Sequence, residues 1–134
     1  MVTSKIGSLD TNILLRLVVG DIPEQLATIQ TLLDESDVLH IADIVIFEMV
    51  FVLQSFYEFS REDIIESVTT IIRHDKINCN RRLFELALVM FAKHRKISFV
   101  DSTLPIYASI NQSVPLFTFD QELAKSLPEV SLLI

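Results

Sequence analysis

Four carboxylates, Asp10, Glu48, Asp101 and Asp120, fall where they could share a divalent cation. Asp10 closes a short extended run, and Asp120 closes another, Leu116-Phe117-Thr118-Phe119. If those runs are parallel strands, both acids lie at the carboxyl edge of the sheet, where open α/β folds hold their ligands. Glu48 lies about one turn into the helix that leaves the second strand, and Asp101 starts the helix preceding the third. Two carboxylates about 4 Å apart repel by roughly 4 kcal/mol at an effective dielectric of 20. Four ionised in one crevice therefore need a compensating charge. Hard oxygen donors suit Mg²⁺ or Mn²⁺, and neither His nor Cys accompanies them as a zinc site would usually require.

Glu48 supplies the first independent reason to expect a cation. Residues 44–53 are apolar apart from this one carboxylate, so the helix is expected to be largely buried. A buried, unpaired carboxylate costs several kcal/mol or is forced to protonate. The plainer alternative is a snorkelling or salt-bridged side chain. No Lys or Arg lies within a helical turn of Glu48, which favours the cation. The other acids have plain readings when taken singly: Asp43 as an N-cap, and Asp101 as a carboxylate suited to a helix N-terminus.

The elements that must position these acids can be taken in chain order. Asp10 leads into an apolar run, Ile13 to Val19, that reads as the first helix. Asp21-Ile22-Pro23-Glu24 reads as a helix start, with Asp as the cap and Pro in the first turn. Leu26, Ile29, Leu32 and Leu33 follow at helical spacing. Val38-Leu39-His40-Ile41-Ala42 is a short buried strand, with His40 read as a core or edge histidine. Ser60-Arg61-Glu62-Asp63 opens another amphipathic helix, and His74 falls near its end. Asn78 or Asn80 caps the next, whose tail Lys93-His94-Arg95-Lys96 complements the helix dipole or offers a phosphate-contacting lip. Asp101 or Ser102 is expected to cap the following helix, because Pro105 belongs in a first turn. A strand at residues 116–119, a short helix at 121–126 and a strand at 130–134 complete the chain.

This order, β-α-α-β-α-α-α-α-β-α-β, predicts an α/β fold: a central parallel sheet of about four short strands flanked by helices. At 134 residues a single domain over 1–134 is expected, burying about two thirds of its unfolded surface. The longest apolar stretch, residues 41–53, contains Asp43 and Glu48 and is too short to span a bilayer. No signal-peptide pattern opens the sequence. A lone Cys79 excludes an internal disulfide, reads as a packing residue and fits a reducing cytoplasm. Eleven basic residues against 18 acidic give a net charge of −7, which disfavours a generic nucleic-acid-coating surface. Two divalent ions bound among the acids would reduce that to about −3, so charge alone does not decide the partner.

The motifs resemble those of a known family. Leu9-Asp10-Thr11-Asn12-Ile13-Leu14-Leu15-Arg16-Leu17, Phe47-Glu48 with Phe51-Val52-Leu53, Val100-Asp101, and Leu116-Phe117-Thr118-Phe119-Asp120 look like the ordered acidic motifs of PIN domains. The likeness is closest to the small VapC-type toxins of toxin–antitoxin pairs and spans nearly the whole chain. It implies a Mg²⁺- or Mn²⁺-dependent endoribonuclease, neutralised by an antitoxin and usually dimeric. By motif position, Asp10, Glu48, Asp101 and Asp120 would bind the metal, and Asn12 and Thr118 would be supporting polar residues. The chemistry implied is metal-assisted phosphodiester hydrolysis.

Other readings of a strand-end Asp fit less well. A haloacid-dehalogenase-type phosphatase needs a second Asp two residues later, where this chain has Asn12. A receiver domain needs a Lys near a late strand end, and none stands by Thr118-Phe119-Asp120. The rival from another class is a non-catalytic module whose acids bind Mg²⁺ or a partner's basic tail. An antitoxin could block the carboxylates with an inserted Arg. Apolar residues exceed what a small domain easily hides, so a homodimer is expected, with residues 60–94 as candidate contacts.

Overall fold

The computed structural model describes residues 5–134. They form two compact units, one ending at Arg81 and the other running from Arg82 to Ile134.

In the first unit, strands β1 (Ile6–Ser8), β2 (Val38–His40) and β3 (Ile77–Asn78) make a parallel sheet in that order. Ile6 pairs with Val38 and Leu39 with Ile77. Helices α1 (Thr11–Val19) and α2 (Pro23–Glu35) connect β1 to β2, and α3 (Asp43–Ser55) and α4 (Arg61–Ile72) connect β2 to β3. The α1 helix is bounded by strong local signals. The Asp10 carboxylate accepts from the Ile13 N–H at 3.0 Å, and Gly20 closes the helix at φ 65°, a conformation glycine takes without steric cost. A capping box opens α4: Ser60 Oγ accepts the Asp63 N–H, and the Asp63 carboxylate accepts the Ser60 N–H. The α1 and α3 helices pack together, and Leu14, Ile46, Met49, Leu53, Ile64, Val68 and Ile72 are fully buried. Each such side chain contributes about 1.5–3 kcal/mol of transfer free energy.

In the second unit, β4 (Leu116–Thr118) and β5 (Val130–Leu132) form a separate two-stranded parallel sheet, with Leu116 opposite Val130. Helix α7 (Gln121–Ala124) joins them. Ile97, Leu123 and Val130 make a small core against which Leu116, Ala124 and Leu127 pack. Helices α5 (Arg81–Lys93, its first residue in the first unit) and α6 (Phe99–Ile110) meet through aromatic rings. Phe99 lies parallel to Phe84 at 6.2 Å between centroids and edge-on to Phe91 at 5.6 Å.

The α/β class and the parallel pairing match the sequence expectation, with the described strands grouped as three and two. Strand β3 was not foreseen, because two residues are too few to display any periodicity. Three helix starts also differ. Ile22, which makes no side-chain cap bond, precedes α2, while Asp21 forms an ion pair with Arg16 at 2.7 Å. Ala42 caps α3, so Asp43 is already its first residue. Ser98 caps α6, its Oγ accepting the Asp101 N–H at 3.1 Å, so Pro105 sits in the helix interior instead of its first turn.

Candidate active site

Asp10 follows β1 by two residues and caps α1. The buried Leu9 between them donates its N–H to the His40 carbonyl at 2.9 Å, which extends the pairing beyond the strand and fixes the turn. One Asp10 oxygen satisfies a helix N–H that would otherwise lack a partner. Asp10 itself is exposed. It lines a groove of about 510 Å³ between α1 and α2, together with Asn12, Ile13, Arg16, Glu24 and Thr28.

Glu48 is where the sequence argument needs correcting. The α3 helix is not buried all round: Ile44 is 71% exposed and Phe51 68%, and Glu48, also exposed, lies between them on the same face. Ile46, Met49, Val50 and Leu53 face inward. A helix with apolar residues on every side gives no sign of which face the fold covers. Water solvates the Glu48 carboxylate, so no cation is required to stabilise it here.

Asp101 occupies the first turn of α6, half-buried, with its backbone N–H held by Ser98. Pro105 has no N–H, so the usual helical bond to the Asp101 carbonyl cannot form. Two neighbouring hydroxyls turn inward on the same stretch: Ser102 Oγ donates to the Ser98 carbonyl at 2.8 Å and Thr103 Oγ1 to that of Val100 at 2.6 Å.

Asp120 repeats the Asp10 arrangement in the second unit. It follows β4 by two residues, caps α7, and accepts from the Leu123 N–H at 3.0 Å. Thr118 Oγ1 accepts the Asp120 N–H at 2.9 Å, so the threonine holds the backbone of the acid rather than its carboxylate. The expected strand-end carboxylate is thus found twice, but after strands of two separate sheets and not at the edge of one.

A PIN domain family model matches residues 8–126. The chain belongs to the PIN domain family. The match runs through both compact units and contains all four acids of this PIN-domain protein. A curated relative, the VapC ribonuclease of Aquifex aeolicus (strain VF5), is 31% identical over 97 residues, covering 69% of this chain and 71% of the relative.

Within each unit taken by itself, and among the described residues, no three His, Cys, Asp or Glu side chains lie close enough to hold a metal ion. The donor chemistry nonetheless fits Mg²⁺ or Mn²⁺. Asp10 and Asp120 each commit one oxygen to a helix N–H and keep the other, and Asp10, Glu48 and Asp120 are exposed.

Sequence reasoning missed several polar groups at the carboxyl edge of the first sheet. Asn78 Nδ2 lies 2.9 Å from His40 Nδ1, and Asn80 donates to the Asp43 carboxylate at 3.2 Å. Both pairs depend on β3, which no pattern signalled. Arg16 was also missed. Its guanidinium donates to the Tyr57 hydroxyl at 2.6 Å and to Asp21 at 2.7 Å. The Tyr57 hydrogen bond holds its pKa above the ordinary value, with Asp21 assisting, while burial works the other way. A lone Arg inside the apolar run of residues 13–19 was the available signal.

Proposed function

We propose that this PIN-domain protein is a Mg²⁺- or Mn²⁺-dependent endoribonuclease, acting as the toxin of a type II toxin–antitoxin pair. The reading includes one PIN-like domain over residues 1–134, a cytoplasmic location, a cognate antitoxin and a homodimer. The family match that contains all four acids, together with a VapC ribonuclease relative, carries it. Asp10, Glu48, Asp101 and Asp120 would be the metal ligands. A bound divalent ion supplies charge neutralisation at the phosphodiester and a more acidic water.

The chain's own residues prepare for that role in specific ways. The Ile13 and Leu123 N–H groups hold one oxygen each of Asp10 and Asp120, which fixes both carboxylates in one rotamer. Thr118 steadies the backbone at Asp120. Asn12, on the groove beside Asp10, is suited to orient a water or a ribose hydroxyl with its amide. A protein with net charge −7 cannot rely on a broad basic surface, so phosphate neutralisation has to be local.

The exposure of Glu48, which leaves its carboxylate open to a cation or to a partner's basic side chain, also suits a second reading, a non-catalytic metal- or partner-binding module. Incubating the purified protein with RNA and added Mg²⁺ or Mn²⁺ separates the two. Metal-dependent cleavage that disappears in Glu48→Gln supports the nuclease. Cleavage unchanged in that variant removes Glu48 from the site, and no cleavage by the parent protein with either metal leaves the binding module.

A further inference from the structure

The two strand-end turns differ at the residue before the acid. In Ser8-Leu9-Asp10 the middle residue is 3% exposed, and in Thr118-Phe119-Asp120 it is 78% exposed. Phe117, two residues earlier and inside β4, is 60% exposed, while Phe119 lies just beyond the strand's last residue, Thr118. Leu116 packs on the small core with Ile97, Leu123 and Val130. The β4 strand is thus anchored through Leu116, and two phenyl rings, Phe117 within it and Phe119 just after it, are left in solvent. Folding does not account for rings left in water, and the first turn shows that this position can be built from a buried leucine.

We infer that Phe119, assisted by Phe117, is a substrate-positioning platform that stacks on an unpaired nucleobase of RNA next to the scissile phosphate. This rests on the ribonuclease reading above. Three observations point to this occupant. The rings are aromatic and accessible, which matches how single-stranded RNA is held, by stacking splayed bases on aromatic faces. Phe119 is bonded in sequence to Asp120, whose backbone Thr118 clamps, so a base on the ring lies within one residue of that carboxylate. Stacking also needs no positive charge, which suits a chain with net charge −7. A double-stranded segment keeps its bases stacked on one another and offers no free face.

The chain contains no Trp, so Phe119→Trp introduces a single indole whose emission a stacked base quenches. Binding is measured in EDTA, where metal-dependent cleavage does not occur, with a single-stranded RNA oligonucleotide and with its duplex. The expected results are quenching of Phe119→Trp by the single strand and not by the duplex, and a roughly tenfold or greater loss of affinity in Phe119→Leu. In the cleavage assay Phe119→Leu should raise KM more than it lowers kcat, and Phe119→Trp should restore KM. Equal RNA affinity in Phe119→Leu and the parent, with cleavage intact, overturns the platform and leaves the nuclease standing. Loss of self-association in Phe119→Leu at unchanged RNA affinity assigns the rings to a second copy and also overturns it. If the parent cleaves no RNA but the quenching is seen, the ring binds a base without positioning a substrate, and both the nuclease reading and the platform's place beside a scissile phosphate fail. With neither cleavage nor quenching, both fall.

Discussion

The turn around Asp10 and the turn around Asp120 are two versions of one local device. Each is a short parallel strand, a one-residue spacer and an aspartate that caps a helix through the N–H three residues on. The surroundings differ. The first spacer is buried and its N–H prolongs the sheet, and the helix behind it runs nine residues to a glycine cap. The second spacer is an exposed phenylalanine, the helix has four residues, and a threonine hydroxyl does the clamping. The difference teaches that the orientation of a carboxylate is set by its cap. Whether the neighbouring side chain serves the core or the solvent is a separate choice.

That comparison can be tested, starting with the largest effect. Leu9→Ala should destabilise the protein by about 2–5 kcal/mol, as buried leucine truncations do. Urea denaturation reads it, and a loss below about 1 kcal/mol would mean that Leu9 does not anchor the first turn. Next, Asp10→Asn and Asp120→Asn should each lower RNA cleavage by about a hundredfold or more, since even outer-shell partners of metal ligands are worth roughly 10–100-fold. Asparagine is a good N-cap, so melting temperatures should stay close to the parent's. Should only one of the two variants lose activity, the functional equivalence of the turns is broken.

Smaller effects sharpen the same contrast. Asp10→Ala removes the cap of a nine-residue helix and should cost about 1 kcal/mol. Asp120→Ala should cost less, because the helix it caps is a single turn. Thermal melts of the two side by side give the ranking, and the reverse order would show that the second turn is the better anchored. Smallest of all, Phe119→Ala should change stability by no more than about 0.5 kcal/mol, as surface substitutions usually do. A loss comparable to that of Leu9→Ala would mean that the ring is buried in solution.

Local signals were legible in the sequence, and long-range ones were not. Ser60 and Asp63 announced α4, because a capping box is contained in four residues. The strand-end position of Asp120 is readable from the apolar residues 116–119 before it; that of Asp10 rests on the apolar run 13–19 after it, because Gly7 and Ser8 are poor strand formers. Asp21 was misread as a cap because the competing partner, Arg16, is chosen by tertiary geometry. Pro105 placed the start of α6 three or four residues late, because proline prefers a first turn, whereas here it lies in the helix interior and leaves the Asp101 carbonyl without its usual helical N–H. Glu48 carried the most weight in the sequence argument and the least in the structure. Composition could show an apolar helix but not that Ile44 and Phe51 would remain outside. Family motifs name Asp101 and Asp120, whereas the exposure of Phe119 depends on tertiary packing that its neighbours in sequence do not determine.

Arg16 bonds to two segments besides its own helix α1: the connection after it through Asp21, and the segment following α3 through Tyr57. Asp10 caps α1, and the segment of Tyr57 adjoins the helix of Glu48. A guanidinium gripping both partners adds a polar tie to the apolar packing of α1 on α3. A lysine could keep the charge at this site but not the fork, so it would hold one of the two partners and release the other.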